Sequence, residues 1–383
     1  VEKCNPAGIK ILKINSEQEI LKQEFKNIFS GKNQWIIEKL DKIEDIEFIA
    51  DAELEFGGEK ISCNITIMPL TGGENESLGT LIMIEDISSE KRMKSTMSRY
   101  MDADLADQLL AAGDGDDVMG GKESIGTVLF SDIRSFTTLT ESLGAQGTVG
   151  FLNDYFTIMV DCIQEEGGML DKFIGDAIMA IFGTPVAHDD DPDRGLRAAI
   201  QMMHGLNEFN EIRKSQGLPP VDHGMGLNTD EIVSGNIGSP KRMDYTVIGD
   251  GVNLAARIES SCKKYGAKIL MSEYTFKALK ATYRTRQVDC VIVQGKTEPV
   301  QVFEVLDFHS KESFPNMIEV LEMFNNGIEY YNEGNWDKAI TQFKKAQKGN
   351  PEDKCSNMYV ERCGILKKRD PKDWDGVWVA TSK

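Results

Sequence analysis

Two aspartates of the 383-residue chain stand where apolar, strand-like runs end. Asp132 follows such a run and precedes a helix-like stretch, and Asp176 lies at the tip of a predicted hairpin. Two carboxylates at the same end of adjacent strands can hold Mg²⁺, which prefers a few carboxylates together with substrate phosphates. A metal pair of this kind activates an attacking oxygen and stabilises a leaving one. The residues alone also allow Asp132 to be a helix N-cap and Asp176 an ordinary turn residue.

A second polar pair follows a strand, a glycine-containing turn and a helix start. Asn253 and Arg257 are four residues apart, so they share one face of the predicted helix. An amide and a guanidinium on one face suit a centre rich in oxygen where negative charge develops. The alternative is a surface pair, but the apolar neighbours Leu254 and Ala255 favour a face that is closed to water.

The elements that must position these residues alternate along residues 124–307. Hydrophobic periodicity predicts, in chain order, a strand, a helix, a hairpin, a helix, a second hairpin, a strand, a helix and two strands. The predicted strands are 126–131, 245–248, 268–271 and 300–306, and the predicted hairpins are 168–182 and 224–238. The predicted helices run from the end of the first strand to about 166, over 193–217 and over 253–265. This order predicts an α+β fold in which helices cover one face of an antiparallel sheet.

Three segments of this region resemble the signature blocks of class III nucleotidyl cyclases, and they occur in the family's order. The segments are residues 130–136 (FSDIRSF), 172–176 (KFIGD) and 249–257 (GDGVNLAAR). The resemblance is closest to bacterial, cyanobacterial-type adenylate cyclases, in which sensor modules precede the catalytic domain. It implies a ferredoxin-like catalytic domain that converts a nucleoside triphosphate into its 3′,5′-cyclic monophosphate and pyrophosphate.

The resemblance also implies roles for single residues. Asp132 and Asp176 match the two metal-binding aspartates, and the backbone carbonyl of Ile133 is an added ligand. Two Mg²⁺ ions per site are implied, with Mn²⁺ as the alternative. One ion lowers the pKa of the ribose 3′-hydroxyl, and the other holds the triphosphate. Asn253 and Arg257 match the catalytic pair that positions the ribose and stabilises the pentavalent phosphorus.

The resemblance assigns the base and the phosphates to other side chains. Lys172 matches the base-selecting lysine and Thr246 its partner, and this pair favours ATP, because guanylate cyclases typically carry Glu and Cys there. Lys296 resembles the family's phosphate-binding lysine, and either Lys241 or Arg242 is a further phosphate contact. Members with Thr at the Thr246 position are often stimulated by bicarbonate, so bicarbonate is an expected activator.

The family's sites lie at a head-to-tail dimer interface. The two aspartates come from one subunit, and the base-selecting, catalytic and phosphate-binding residues come from the other, so a homodimer with two equivalent sites is expected. The predicted function is therefore an adenylate cyclase. The alternatives are a guanylate or relaxed-specificity cyclase, a catalytically silent nucleotide-binding regulator, and an interaction scaffold. The silent regulator is disfavoured because this chain lacks none of the motif residues.

The flanks carry weaker resemblances. Residues 1–88 resemble a PAS sensor domain, through three strand-like runs and the segment EDIS at 85–88. Residues 89–123 are predicted as a helix over 89–112 followed by an acidic linker. That helix either pairs with a second copy to pass signals or packs on its own domain. Residues 315–383 resemble one tetratricopeptide repeat in a short all-α tail, from the spacing of Gly334, Trp336, Ala339, Phe343 and Pro351.

Composition excludes some classes of protein. The net charge is −19, which excludes a general nucleic-acid binder, because such a protein needs a basic face. No run of 18 apolar residues is present, so no membrane span is predicted. Seven scattered cysteines without a C-x-x-C pair predict a reducing, cytoplasmic setting for the catalytic region. The chain begins at Val1, which predicts a fragment or processed product and leaves membrane attachment through an upstream segment open.

Overall fold

The computed structural model describes the chain except for residues 22, 41, 42, 44, 73–76, 90, 92–120, 240, 241, 293–298, 370, 372 and 379–383. Most of the helix predicted over 89–112 and most of the acidic linker thus fall outside the described residues. The chain divides into two compact units, Val1–Asp107 and Gln108–Lys383, and each is described by itself.

The first unit combines short helices with a three-stranded antiparallel sheet. The helices are α1 (Pro6–Ile11), α2 (Phe25–Ile28) and α3 (Trp35–Leu40). The strands, in spatial order, are β1 (Glu47–Phe56), β2 (Glu59–Thr71) and β3 (Ser77–Asp86). Gly57 and Gly58, with φ of 59° and 79°, form the β1–β2 turn, which needs positive φ at both central residues. The resemblance of this unit to PAS domains stays a prediction.

An eight-stranded sheet forms the centre of the second unit. Its order is β10-β11-β9-β7-β4-β6-β5, and β8 pairs with the end of β7. All pairs are antiparallel except β7 with β9. The bounds are β4 (Gly121–Ile133), β5 (Met169–Ile174), β6 (Ala177–Phe182), β7 (His223–Ser239), β8 (Arg242–Ile248), β9 (Ile269–Ser272), β10 (Thr285–Ile292) and β11 (Pro299–Val305).

Helices lie on both faces of this sheet. They are α4 (Phe136–Glu165), α5 (Asp191–Ser215), α6 (Asp250–Tyr265) and α7 (Glu273–Ala278). Ile178 of β6 packs in the core with α4 and α5, whereas its neighbour Met179 faces the opposite side, where Ala255 of α6 packs. The α+β fold is confirmed, but the prediction of helices on one face is wrong. Gly226 of β7 allows α6 to pack closely on the second face of the sheet, because a side chain at position 226 would collide with the backbone of Glu259 on α6.

The predicted second hairpin at 224–238 is also wrong. Residues 223–239 form the single strand β7, which pairs with β4 from His223 to Gly235. The hairpin is instead made by β7 and β8, with Val233 opposite Ile248. Glycines in this stretch resemble turn signals, but Gly224 and Gly226 serve close packing against Arg134 and α6. Strand β10 and helix α7 were not predicted, and β4 begins at Gly121, before the predicted strand at 126–131.

Three further helices, α8 (Met317–Asn332), α9 (Trp336–Gly349) and α10 (Lys354–Arg369), share a core with the sheet. In that core Phe324 and Tyr359 pack with Leu254 of α6 and Val288 of β10. These three helices thus continue the hydrophobic core of the sheet. Their resemblance to a tetratricopeptide repeat stays a prediction. Among the described residues, no helix has the length and apolarity that crossing a membrane requires.

Candidate active site

The end of β4 and the β5–β6 turn bring the two predicted metal-binding aspartates together. Gly175, with φ of 67°, allows the tight turn that places Asp176 at the hairpin tip. Burial and the charge of Asp132 raise the pKa of Asp176 to about 6, while the backbone N–H groups of Asp176 and Ile133 act in the opposite direction. Asp132, Ile133 and Asp176 therefore lie close together, and these three residues are called the acidic cluster below.

This acidic cluster fits a divalent cation. A cation bound between the two carboxylates relieves the repulsion that raises the pKa of Asp176. No group of three or more His, Cys, Asp or Glu side chains that could hold a metal exists among the residues that the structure describes. Two carboxylates and a backbone carbonyl leave coordination positions for phosphate and water oxygens, which is the mixture that Mg²⁺ prefers.

A partly buried ion pair lies beside the acidic cluster. The Arg134 guanidinium is 3.4 Å from Oε1 of Glu259, and Gly224 provides the space for it, since a side chain at 224 would overlap Arg134. Burial raises the pKa of Glu259 to about 7, Arg134 opposes this, and Asp132 and Asp176 reinforce it. Arg134 belongs to the first signature block, but sequence reasoning missed Glu259, because its position beside Arg134 depends on how α6 packs against β7.

Lys172 and Thr246 are brought together around a third residue, Asp171. Thr246 Oγ1 donates to Asp171 Oδ2 at 3.0 Å, and Lys172 Nζ lies 3.4 Å from the same oxygen. The β5–β6 register shifts between Leu170 and Lys172, so Asp171 sits at a bulge. Sequence reasoning missed Asp171, although a carboxylate in the middle of an apolar strand, directly before the base-selecting lysine, was a usable signal.

The remaining predicted pair lies on the first half of α6. Asn228 Nδ2 donates to the carbonyl of Gly251 at 2.9 Å, which holds the first turn of the helix against β7. Asn253 and Arg257 share an exposed face of α6, while Leu254 and Ala255 between them are buried. The expectation that this face is closed to water is therefore wrong for the single chain, because the apolar neighbours occupy the opposite side of the helix.

Of the three residues predicted as phosphate contacts, only Arg242 lies among the described residues. Lys296 and Lys241 lie outside the described residues, and Arg242 begins β8. Their assignments stay predictions.

Comparisons with known proteins identify the family to which this region is similar. Residues 120–305 match the family model described as the adenylate and guanylate cyclase catalytic domain. An adenylate cyclase of Anabaena cylindrica is 41% identical over 186 residues, which are 47% of this chain and 36% of that protein. The terminal-differentiation-specific adenylate cyclase of Dictyostelium discoideum is 34% identical over 277 residues, 71% of this chain and 13% of that protein.

Among solved structures, the guanylyl cyclase Cya2 is 39% identical, with a TM-score of 0.45 over 49% of this chain and 94% of that one. The chain spans about a third or less of the length of the two curated relatives. The segment that matches the family model contains the acidic cluster, the Lys172–Thr246 pair and the exposed face of α6. Residues 120–305 therefore form an adenylate and guanylate cyclase catalytic domain.

Proposed function

We propose that the protein is an adenylate cyclase that converts ATP into 3′,5′-cyclic AMP and pyrophosphate, at sites shared between two copies of the chain. The observation that carries the choice of ATP is the convergence of Lys172 and Thr246 on one buried carboxylate. The acidic cluster of Asp132, Ile133 and Asp176 supports the use of two divalent ions, Mg²⁺ or Mn²⁺.

The reaction forms a bond between the ribose 3′-oxygen and the α-phosphorus and breaks the bond from that phosphorus to the β-phosphate. Pyrophosphate leaves with the bonding electrons, and the 3′-hydroxyl loses its proton. Bound metal ions supply Lewis acidity toward the 3′-hydroxyl and the triphosphate. Asn253 positions the ribose, and Arg257 stabilises the charge that develops on the phosphorus oxygens.

Base selection follows from the polarity of two side chains. The Lys172 ammonium only donates, so it fits the bare N1 of adenine, and the Thr246 hydroxyl accepts from the 6-amino group. Guanine presents an N1–H and a carbonyl at these places, which reverses both requirements. The second candidate is a guanylate or relaxed-specificity cyclase, because the matching family model covers both adenylate and guanylate cyclases.

Regulation is a further part of the proposal. The first unit acts as a sensor that alters the turnover of the catalytic dimer. Bicarbonate activates the enzyme, as the resemblance implies for a site with threonine at the position of Thr246. An unchanged rate across bicarbonate concentrations at constant pH rejects the bicarbonate part alone.

The test is turnover of ATP and of GTP, each with Mg²⁺ and with Mn²⁺. Wild-type protein is expected to make mainly cAMP. Asp132→Ala is expected to lower the rate by more than about 100-fold, because one of the two carboxylates that hold the ions is gone. The matched control is Asp161→Ala on the exposed side of α4, which should keep the wild-type rate. The proposal fails if the wild type forms no cAMP with either metal, or if cGMP is its main product.

A further inference from the structure

A buried carboxylate without an assigned role lies under the two base-reading residues. The side chain of Asp171 is 0% exposed, whereas that of Lys172 is 41% exposed. One carboxylate oxygen, Oδ2, receives the Thr246 hydroxyl and the Lys172 ammonium. The other oxygen, Oδ1, is buried and has no hydrogen-bond partner among the described residues.

Burying this carboxylate in its surroundings is unfavourable in free energy. The neighbouring apolar cluster contains Met169, Met179 and Val247, and an ionised group in such a place loses its hydration. Burial raises the pKa of Asp171 above its ordinary value, while Thr246 and Lys172 act in the opposite direction. An apolar side chain would fill the space at lower cost, and replacing buried charges by apolar groups is often neutral or stabilising. Stability alone therefore does not explain Asp171.

The hydrogen bond from Thr246 determines what the hydroxyl can offer a ligand. A hydroxyl carries one proton, and Thr246 donates it to Asp171. The side of the Thr246 oxygen that faces away from Asp171 then presents only lone pairs. The ion pair likewise holds Lys172 Nζ beside Thr246, with its remaining N–H donors available.

We propose that Asp171 is a positioning residue that determines base specificity by fixing Thr246 as an acceptor and Lys172 as a donor. A base read by this pair must offer an amino group next to an unprotonated ring nitrogen. Adenine offers both, and guanine offers neither on that edge. This inference rests on the proposed cyclase function and adds to it the residue that imposes the donor and acceptor pattern.

The test compares Asp171→Leu with Asp171→Asn, and the readout is kcat/KM for ATP divided by kcat/KM for GTP. Leucine removes the acceptor, so the Thr246 hydroxyl becomes free to donate to the guanine carbonyl. The ratio should fall by about tenfold or more. Asparagine still offers a carbonyl oxygen to Thr246 and Lys172, so it should keep the ratio close to that of the wild type. A merely structural residue would lower both rates equally and leave the ratio unchanged.

A double-mutant cycle with Thr246→Val shows whether Asp171 acts through the hydroxyl. In the Thr246→Val background, Asp171→Leu should cause little further change in the ratio, and equal changes in both backgrounds overturn the inference. 3′-Deoxy-ATP and 3′-deoxy-GTP lack the attacking hydroxyl, so their inhibition constants report binding alone. The ratio of these two constants should rank the variants in the same order as the ratio of kcat/KM values. If Asp171→Leu does not fold, as judged by thermal unfolding, Asp171→Val replaces it with the same expectation.

The result for the wild type separates the two proposals. A wild type that makes no cyclic nucleotide rejects the proposed function. A wild type that prefers ATP, combined with an Asp171→Leu ratio within about twofold of the wild-type ratio, rejects only the role of Asp171.

Discussion

His223, at the start of β7, is a buried histidine of the catalytic unit that no step of the reaction uses. Its Nδ1 lies 2.8 Å from the Tyr155 hydroxyl, and its Nε2 lies 3.2 Å from the Met203 sulfur. Burial lowers the pKa of His223 to about 4, Asp222 opposes this shift, and Lys268 and Arg134 reinforce it. The imidazole is therefore neutral in the folded protein at pH values where it titrates in the unfolded chain.

This difference predicts a pH dependence of stability. Because the folded pKa lies below the unfolded value of 6.5, the unfolded state binds the extra proton. The contribution of His223 to stability is complete above pH 6.5 and is lost as the pH falls toward 4, by at most about 1.4 kcal/mol per pH unit. Urea unfolding of His223→Gln between pH 7.5 and 4.5 should show a shallower loss than the wild type.

The control for this measurement is His204→Gln, because His204 is exposed on α5. That variant should retain the wild-type pH dependence. Identical slopes for the wild type and His223→Gln would show that His223 is protonated in the folded state as readily as in the unfolded one.

At the residue scale, sequence motifs located the predicted site residues but not the residues that orient them. Asp132 and Asp176 were predicted from local patterns and Lys172 and Thr246 from the family resemblance, and the structure brings the four residues into two clusters. Asp171 was missed because its direction depends on a bulge in β5, which depends in turn on pairing with β6. Tertiary pairing of this kind leaves no periodic signal in a single segment.

At the element scale, α6 connects the candidate site to the C-terminal helices. Its first half carries Asn253, and its last residue, Tyr265, donates to Asp289 Oδ2 at 2.6 Å. Arg362 of α10 donates two hydrogen bonds, of 2.9 and 2.8 Å, to the two oxygens of the same carboxylate. Burial acts to raise the pKa of Asp289, but the bonds from Arg362 lower it below its ordinary value. The helix that carries Asn253 and Arg257 is therefore anchored at its far end by the C-terminal helices.

Breaking this anchor should destabilise the second unit. Arg362→Met keeps the length and apolar stem of the side chain but leaves Asp289 buried without its bidentate partner. The expected loss of unfolding free energy is about 3 kcal/mol, the usual cost of breaking a buried pair on one side. Chemical denaturation of the full chain measures it.

Lys367→Met, on the same helix, is the control for Arg362→Met. Lys367 forms an exposed ion pair with Asp337, so its loss should change stability by less than about 1 kcal/mol. Equal losses for the two variants would mean that the buried pair contributes no more than a surface contact.

Sequence periodicity gave most elements of the sheet but not its layering. The helices α4, α5 and α6 were recognised because their apolar spacing is local. The second hairpin was mistaken because Gly224 and Gly226 resemble turn residues, whereas each accommodates a neighbouring group across the sheet. A glycine required for close packing and a glycine required for a turn cannot be distinguished without the partner element.

At the scale of the whole molecule, the positions of the site residues bear on assembly. The acidic cluster and the Lys172–Thr246 pair belong to one chain, yet Asn253 and Arg257 lie on a face of α6 that is exposed in that chain. This exposure agrees with the proposed arrangement, in which each site takes its aspartates from one copy and its remaining residues from the other.

Mixing two inactive variants tests this arrangement directly. Asp132→Ala and Asn253→Ala should each be inactive alone. A mixed dimer keeps one intact site, so an equimolar mixture that exchanges subunits should recover about a quarter of the wild-type rate. Asp132→Ala mixed with Asp176→Ala should recover nothing, because both lesions lie in the half of the site that holds the metal. Equal recovery in the two mixtures, or none in the first once exchange is demonstrated, would place each complete site within one chain.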